Sequence, residues 1–264
     1  MSSLSGASAL VTGASGGLGH AIARALAERG ASVTLSARRA ELLEPLAAEV
    51  AGVARPADLS DRAAVERLAH EAGEVDVLVA NAALPASGEL AGFSVEEIDR
   101  SLEVNLRAPI VLARLLAPGM VERGHGHLVF VSSLNGKAAS ARASLYSASK
   151  FGLRGFAFGL RDELRETGVG VSAVFPGFIR DAGMFADTGV ALPRGVGTRA
   201  PADVGAAVLR AIEEDRAEVD VAPLGLRLGA AFAGLAPELA SSLSRRLGAD
   251  RVSTGMAEAQ RGKR

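Results

Sequence analysis

The 264-residue sequence contains no cysteine and no tryptophan, and aromatic residues make up only 4% of it. The absence of cysteine excludes disulfides, thiolate nucleophiles and cysteine metal sites, although it says little about the compartment. Because aromatic rings are scarce, the core should consist mostly of Ala, Val and Leu. The net charge of -1 gives no global reason to expect a nucleic acid or an anionic membrane as a partner.

Targeting and metal-binding signals are also missing. The N-terminus lacks a basic stretch followed by an apolar one, and the uncharged run 2–23 is rich in Gly and Ser. We therefore expect no signal peptide and no stable membrane insertion, and a cytoplasmic protein is the default expectation. His125 and His127 form the only close histidine pair and have no third ligand nearby, so no metal site is predicted.

Short apolar runs alternate with helical patterns along the chain. This alternation predicts an α/β fold, in which a doubly wound parallel sheet of about seven strands carries helices on both faces. We expect a single domain over 1–264, with its core at about 4–222. The tail 223–264 could contribute to a substrate pocket or an oligomer contact. Within it, the stretch 226–239 could be a pocket wall, an oligomer contact or a weakly membrane-seeking helix, with a core or interface role favoured, and disorder is expected at 260–264. The predicted strands cover 7–12, 31–37, 52–55, 75–80, 127–132, 169–175 and 218–222.

A glycine-rich stretch, 12–19, follows the first predicted strand and precedes a helical pattern over 20–29. Such a turn lets the backbone pass close to a pyrophosphate, and the helix N-terminus offers free N–H groups to the anion. We therefore favour a dinucleotide site over a merely flexible turn. After the second strand, Arg38 and Arg39 stand where an acid often holds the ribose 2′-hydroxyl. Two guanidinium groups suit a 2′-phosphate, and the alternative is a solvated basic helix start.

Tyr146 and Lys150 are four residues apart, so a helix would place both side chains on one face. Tyr146 is the only tyrosine, and Lys150 is one of three lysines against 26 arginines. An ammonium beside a phenol favours the phenolate, so the pair could transfer a proton to or from a substrate oxygen near neutral pH. Without other support, the pair could equally be an ordinary helix-face contact.

Together these features resemble the short-chain dehydrogenase/reductase family over roughly residues 4–222. The resemblance rests on Thr12-Gly13-x-x-x-Gly17-x-Gly19, on Asp58, on Asn81 and on Pro176-Gly177. It rests above all on four residues that match the catalytic set of the family in order and spacing, namely Asn105, Ser133, Tyr146 and Lys150. The resemblance implies a Rossmann-like fold and hydride transfer between a nicotinamide and a carbonyl or alcohol carbon.

The resemblance also implies a role for each site residue. Tyr146 is the general acid or base, Lys150 lowers its pKa and holds the nicotinamide ribose, and Ser133 hydrogen-bonds the reacting oxygen. Asn105 supports a water relay behind Lys150. Ser132 is the competing serine, but Ser133 has the family spacing to Tyr146. Cofactor binding is expected from Gly13, Ser15, Gly17, Leu18, Gly19, Arg38, Arg39, Asp58, Leu59, Asn81, Tyr146, Lys150, Pro176, Gly177 and Ile179.

Asp181 departs from the family, which commonly has Thr at this place near the cofactor. A second negative charge there would weaken the binding of a phosphorylated cofactor.

We interpret the sequence as an NADP-dependent oxidoreductase, with NAD less expected, acting on a mostly apolar small or medium alcohol or ketone. The alternative is a nucleotide-binding regulator without turnover. The substrate depends on segments 84–92, 134–142 and 178–200 and cannot be named from the sequence. The apolar helix of Tyr146 and the family resemblance both predict a homodimer or homotetramer.

Overall fold

The computed structural model describes residues 4–246 and 249–263, and a seven-stranded parallel sheet forms its centre. The strand order is β3-β2-β1-β4-β5-β6-β7, and every neighbouring pair is parallel. The predicted doubly wound α/β fold is thereby confirmed, with strand ends within two residues of those expected. The strands are β1 Ser8–Thr12, β2 Ser32–Ser36, β3 Val53–Ala54, β4 Val77–Ala80, β5 Gly126–Val131, β6 Val169–Pro176 and β7 Glu218–Val221.

Helices cover both faces of the sheet. One buried apolar cluster packs α1 and α7 against the sheet, and a second packs α3, α5 and α6 against the opposite face. Alternate residues of the central strands contribute to the two clusters because successive strand side chains point to opposite faces. The helices are α1 Gly17–Glu28, α2 Glu44–Glu49, α3 Arg62–Glu71, α4 Val95–Leu102, α5 Ala108–Arg123, α6 Ser144–Glu163, α7 Pro201–Glu213, α8 Leu224–Leu235, α9 Pro237–Arg246 and α10 Ala249–Gln260.

The strand order reverses at β1, which pairs with β2 on one side and with β4 on the other. In open parallel sheets, ligands bind in the crevice outside the carboxyl ends of the strands at this switch point. The glycine loop after β1 and Asn81 after β4 therefore meet at one edge of the sheet.

One long helix begins after Ser94. Ser94 and Glu97 form a capping box at its start, with Ser94 Oγ accepting from the Glu97 N–H at 3.2 Å. α4 passes into α5 through a π-helical turn over Glu103–Arg107, and the whole helix reaches Arg123. It is long and apolar enough to cross a membrane, but half of its most apolar window is buried inside the protein, as in a core helix.

The tail after β7 forms three helices, so the expectation of disorder from residue 260 is wrong within the described residues. Gln260 ends α10 and is only 3% exposed, and its Nε2 donates to the Met184 carbonyl at 3.3 Å. Arg264, which shared that expectation, lies outside the described residues. Leu226 and residues of α10 line a cavity that also contains Tyr146. Leu228 and Leu235 are exposed on the surface.

Candidate active site

The glycine loop is closed tightly against the end of β4. Gly13 has φ +66°, and a Cβ there would lie 2.7 Å from Ala82 Cα. The buried Thr12 Oγ1 accepts hydrogen bonds from the backbone N–H groups of Asn81 and Ala82, both at 3.1 Å. Asn81 Nδ2 in turn donates to the Thr12 carbonyl at 3.0 Å. Asn81 therefore fixes the loop that the sequence identified as a phosphate cradle.

A cleft of about 750 Å³ extends from this loop along the carboxyl ends of β1, β2 and β4. Asp58 lies in its wall, where Ser60 Oγ donates to its carboxylate at 2.7 Å. Burial acts to raise the pKa of Asp58, but hydrogen bonds from Ser60 and the positive charges of Arg38 and Arg100 outweigh burial and lower it. The predicted cofactor residues that line this cleft are Gly13, Ser15, Gly17, Leu18, Gly19, Arg38, Arg39, Asp58, Leu59 and Asn81.

Arg38 and Arg39 are exposed at the cleft. Within the described part of the chain, neither guanidinium group makes an ion pair with a carboxylate. Arg100, from α4, is a third cation in the same wall that sequence reasoning missed. Its place in the helical pattern gave no signal, because only the tertiary packing of α4 brings it beside Asp58.

Tyr146 and Lys150 lie one turn apart on α6, at the floor of a second cavity. Lys150 is 1% exposed, and its Nζ donates to the Val131 carbonyl at 3.0 Å and lies 5.6 Å from the centre of the Tyr146 ring. Burial lowers the pKa of Lys150 to about 8. The Tyr146 ring is partly accessible from the cavity, yet burial raises its pKa to about 12, against the opposing effect of a hydrogen bond with Ser133.

The expected lowering of the Tyr146 pKa by Lys150 is therefore not seen in this arrangement. Desolvation disfavours both charged forms, and the ammonium is directed at a carbonyl oxygen rather than at the phenol. The phenol is accordingly protonated at neutral pH, which is the state that a proton donor needs.

The structure separates the two neighbouring serines. Ser133 Oγ donates to the Pro176 carbonyl at 3.5 Å and accepts from the Asn135 N–H at 3.2 Å, and it lies close enough to the Tyr146 hydroxyl to act against the rise in the pKa of Tyr146. Ser132 Oγ instead donates to the Lys150 carbonyl at 3.0 Å, and the residue is only 4% exposed. Ser133 thus lies at the reacting end of Tyr146, whereas Ser132 anchors the α6 backbone.

Asn105 lies in the π-helical turn and is fully buried. Its Oδ1 accepts from the Leu84 N–H at 2.6 Å, and its Nδ2 donates to the Leu84 carbonyl at 2.9 Å. The side chain therefore ties the loop after β4 to the long helix. Its predicted part in a water relay behind Lys150 stays a prediction.

The second cavity has a volume of about 700 Å³ and a mostly apolar wall. Pro176, Gly177 and Ile179 line it together with Tyr146 and Lys150, as the cofactor expectation requires. The loop after β6 adds the rings of Phe178 and Phe185, 4.8 Å apart. The tail supplies a further part of the wall, because the α10 residues Val252, Ser253, Met256 and Gln260 close the cavity from the far end of the chain. A pocket wall was one alternative that the sequence offered for the tail, but nothing in the sequence singled out these residues.

Asp181 does not bring its charge into either cavity. Its φ is +69°, and its side chain is 68% exposed and pairs with Arg180 at 3.3 Å. The neighbouring Ala182 lines the apolar cavity instead. The negative charge therefore faces solvent, and the weakening expected from it has no structural support.

Comparison with known proteins places this geometry in a family. A family model described as short chain dehydrogenase matches residues 7–190. The chain belongs to the short-chain dehydrogenase/reductase family. This short-chain dehydrogenase is accordingly an NAD(P)-dependent oxidoreductase, and the comparisons give no support to the regulator alternative.

Similar proteins extend the match beyond the family core. Ketoacyl reductase HetN of Nostoc sp. is 40% identical over 230 residues, which are 84% of this chain and 80% of the relative. A metagenomic short-chain oxidoreductase, solved in complex with NADP, is 37% identical and superposes with a TM-score of 0.69. The match covers 84% of this chain and 99% of the metagenomic protein. A short-chain dehydrogenase from Sphingobium yanoikuyae, in complex with NADPH, has a TM-score of 0.75 and 29% identity, over 88% and 94% of the two chains.

Proposed function

We propose that this short-chain dehydrogenase uses NADPH to reduce the carbonyl group of a mostly apolar, small or medium substrate to an alcohol. One observation carries the proposal: Tyr146 and Ser133 lie together on the floor of an apolar cavity that joins the cleft of the glycine loop. A bound nicotinamide cofactor would supply the hydride, and the chain would supply the proton and the orientation.

The residues present fit a dinucleotide. Any side chain at Gly13 would collide with Ala82, and a Cβ at Gly19 would lie 2.3 Å from the Gly13 carbonyl oxygen. The loop thus keeps its backbone open to a pyrophosphate, as the first turn of a dinucleotide fold does. Pro176, Gly177 and Ile179 would hold the nicotinamide end, and Lys150 its ribose.

In the reaction, Tyr146 would donate its hydroxyl proton to the substrate carbonyl oxygen as negative charge develops there. Ser133 would donate a hydrogen bond to the same oxygen and stabilise that charge. The ammonium of Lys150 would stabilise the phenolate that remains, because an opposite charge nearby favours the ionised form. The same groups run in reverse for alcohol oxidation.

The preference for NADP over NAD rests on the exposed Arg38 and Arg39. A planar guanidinium group can meet a 2′-phosphate with charge-assisted hydrogen bonds, whereas a free hydroxyl gains little from it. Two of the similar solved structures contain NADP or NADPH, which is consistent with this assignment. The Nostoc relative is named a ketoacyl reductase, a name compatible with ketone reduction.

The test is NADPH oxidation with a panel of ketones and aldehydes, together with kcat/KM for NADPH and NADH. We expect turnover and a roughly tenfold to hundredfold preference for NADPH, the worth of about 1.5–3 kcal/mol for a hydrogen bond to a charged group. The double variant Ala37→Asp/Arg38→Leu should shift the ratio toward NADH.

Arg39→Leu is the matched control and should shift that ratio less, because this guanidinium group is more readily screened if it points to solvent. A parent enzyme that prefers NADH, or an unchanged ratio in the double variant, would contradict the role of Arg38. Tight NADPH binding without turnover on any carbonyl would favour the regulator instead.

We also propose a homodimer or homotetramer that associates through α6. Ala148, Phe151, Gly155 and Gly159 are exposed on one side of this helix, and Phe151 is 40% exposed. Small residues beside an exposed ring favour close helix approach. The cytoplasmic location stays an expectation from the sequence.

A further inference from the structure

The cleft that extends from the glycine loop, here called the cofactor cleft, and the second cavity above Tyr146, here called the substrate cavity, share a narrow border. Five of the described residues line both cavities: Leu18, Asn81, Ala83, Met184 and Gln260. Leu18 lies in the first turn of α1, and Asn81, Ala83 and Met184 lie in loops that follow strands. Gln260 is the only one from the C-terminal tail, and it lies well outside the part of the chain that matches the family model.

Gln260 has an unpaired acceptor at this border. The residue is 3% exposed, and its Nε2 donates to the Met184 carbonyl at 3.3 Å. Its Oε1 is buried and accepts no hydrogen bond from any described group. Turning the amide around would place Oε1 against the Met184 carbonyl oxygen, so the existing contact fixes which end is free.

A buried amide oxygen without a partner is unfavourable, and a ligand that donates to it removes that penalty. A dinucleotide that occupies both cavities must cross the border where Gln260 lies. Its phosphate oxygens only accept hydrogen bonds at neutral pH, so they do not suit Oε1. Its nicotinamide half carries donors, in the ribose hydroxyl groups and the carboxamide NH₂.

We propose that Gln260 binds the nicotinamide half of the cofactor by accepting a hydrogen bond from one of these donors. The proposal rests on the proposed function, because it requires a dinucleotide in the cleft. Gln260 is thus a cofactor-binding residue supplied by α10, beyond the glycine loop and the catalytic residues.

Contacts in the middle of α10 hold the helix over the site. Arg142, two residues before the start of α6, donates to Thr254 Oγ1. Gly255 lies so close to the loop after β6 that a Cβ there would be 3.0 Å from Val190 Cγ2. These contacts position Gln260 independently of its own hydrogen bond to Met184, so its side chain can be replaced without releasing the helix.

The experiment measures binding rather than turnover. Dissociation constants for NADPH and for 2′,5′-ADP, which is the adenine half alone, are compared between the parent and Gln260→Leu. We expect NADPH to bind about three- to tenfold more weakly, the worth of one ordinary hydrogen bond, and 2′,5′-ADP to bind unchanged. Met256→Leu is the matched control, because Met256 lies on the same helix and lines the cavity but offers no amide oxygen to a donor, and it should change neither constant.

A cofactor analogue with an acetyl group in place of the carboxamide identifies the donor. If Gln260→Leu no longer weakens binding of this analogue, the carboxamide NH₂ is the donor, and if the penalty persists, a ribose hydroxyl is. Unchanged NADPH affinity in Gln260→Leu would overturn the proposal, as would an equal loss for 2′,5′-ADP, which indicates a general structural effect. Failure of the parent to bind NADPH would instead refute the proposed cofactor itself.

Discussion

The two adjacent serines after β5 offer a sharp test of the site, because they differ by one position and make different contacts. Ser133 lines the cavity beside Tyr146 and acts to lower the pKa of Tyr146, whereas Ser132 Oγ donates to the Lys150 carbonyl at 3.0 Å. Replacing each by alanine removes one hydroxyl and little else. The variants should therefore separate chemistry from stability.

Ser133→Ala should lower kcat by about a hundredfold to a thousandfold, as expected when one donor to a developing oxyanion is lost. The KM for cofactor should change little, since the proposed hydrogen bond of Ser133 goes to the substrate oxygen and not to the cofactor. The variant also removes the hydrogen bond that opposes the rise in the Tyr146 pKa. The pH dependence of alcohol oxidation should then move to higher pH, because deprotonating Tyr146 becomes harder.

Ser132→Ala should instead cost stability. One buried hydrogen bond contributes about 1 kcal/mol, which lowers the melting temperature by about 2–4 °C in a domain of this size. Turnover should stay within about threefold, because Lys150 is held by its own bond to Val131.

The assays are steady-state NADPH oxidation and thermal unfolding of the parent, both single variants and Tyr146→Phe. Tyr146→Phe should lose at least about a hundredfold in kcat. Combining it with Ser133→Ala should cost hardly more than the worse single variant, because the two groups act as a unit. If Ser132→Ala lost as much turnover as Ser133→Ala, or if Ser133→Ala stayed near the parent, the assignment of Ser133 would be refuted.

Two further predictions concern stability and assembly. His127 is 1% exposed and hydrogen-bonded to Ser172 at 2.7 Å, and burial lowers its pKa from 6.5 to about 4. As the pH falls below 6.5, the unfolded chain protonates this histidine before the folded protein does, so the free energy of unfolding should drop by about 3 kcal/mol between pH 7 and 4. His127→Gln should reduce that drop. If the free energy of unfolding, measured with urea, changed equally with pH in the parent and the variant, this prediction would be contradicted. Gly155 lies on α6 where an added Cβ meets open space. Gly155→Arg should therefore convert the parent oligomer to a monomer, as measured by light scattering. A parent that is already monomeric at micromolar concentration would refute the proposed contact through α6.

Much of the fold was predictable because its signals are local. The apolar runs of β1 and β4 and the glycine turn between β1 and α1 each reflect short-range sequence, and all three formed where expected. The spacing from Ser133 to Tyr146 and Lys150 also placed these side chains together, because one short loop and one helix connect them.

The features that sequence reasoning missed depend on tertiary packing. The π-helical turn at Asn105 is held by two hydrogen bonds to the backbone of Leu84, twenty-one residues away. The helical period of the sequence does not predict this turn. Gln260 looked like part of a charged end, yet α10 folds back over the loop after β6. The direction of the Tyr146 pKa shift was missed for the same reason, since burial is a property of the whole fold.

The narrow border between the two cavities has a consequence for how such an enzyme can diversify. The adenine end of the cleft is built mostly from residues up to Arg100, whereas the substrate cavity draws most of its own wall from Val131 onward. Substitutions that alter the accepted carbonyl compound can accumulate in the second half without disturbing the choice of cofactor, and the converse also holds. The specificity for the carbonyl compound and the specificity for the cofactor are coupled only at the few shared positions, where one change in Met184 or Gln260 affects both.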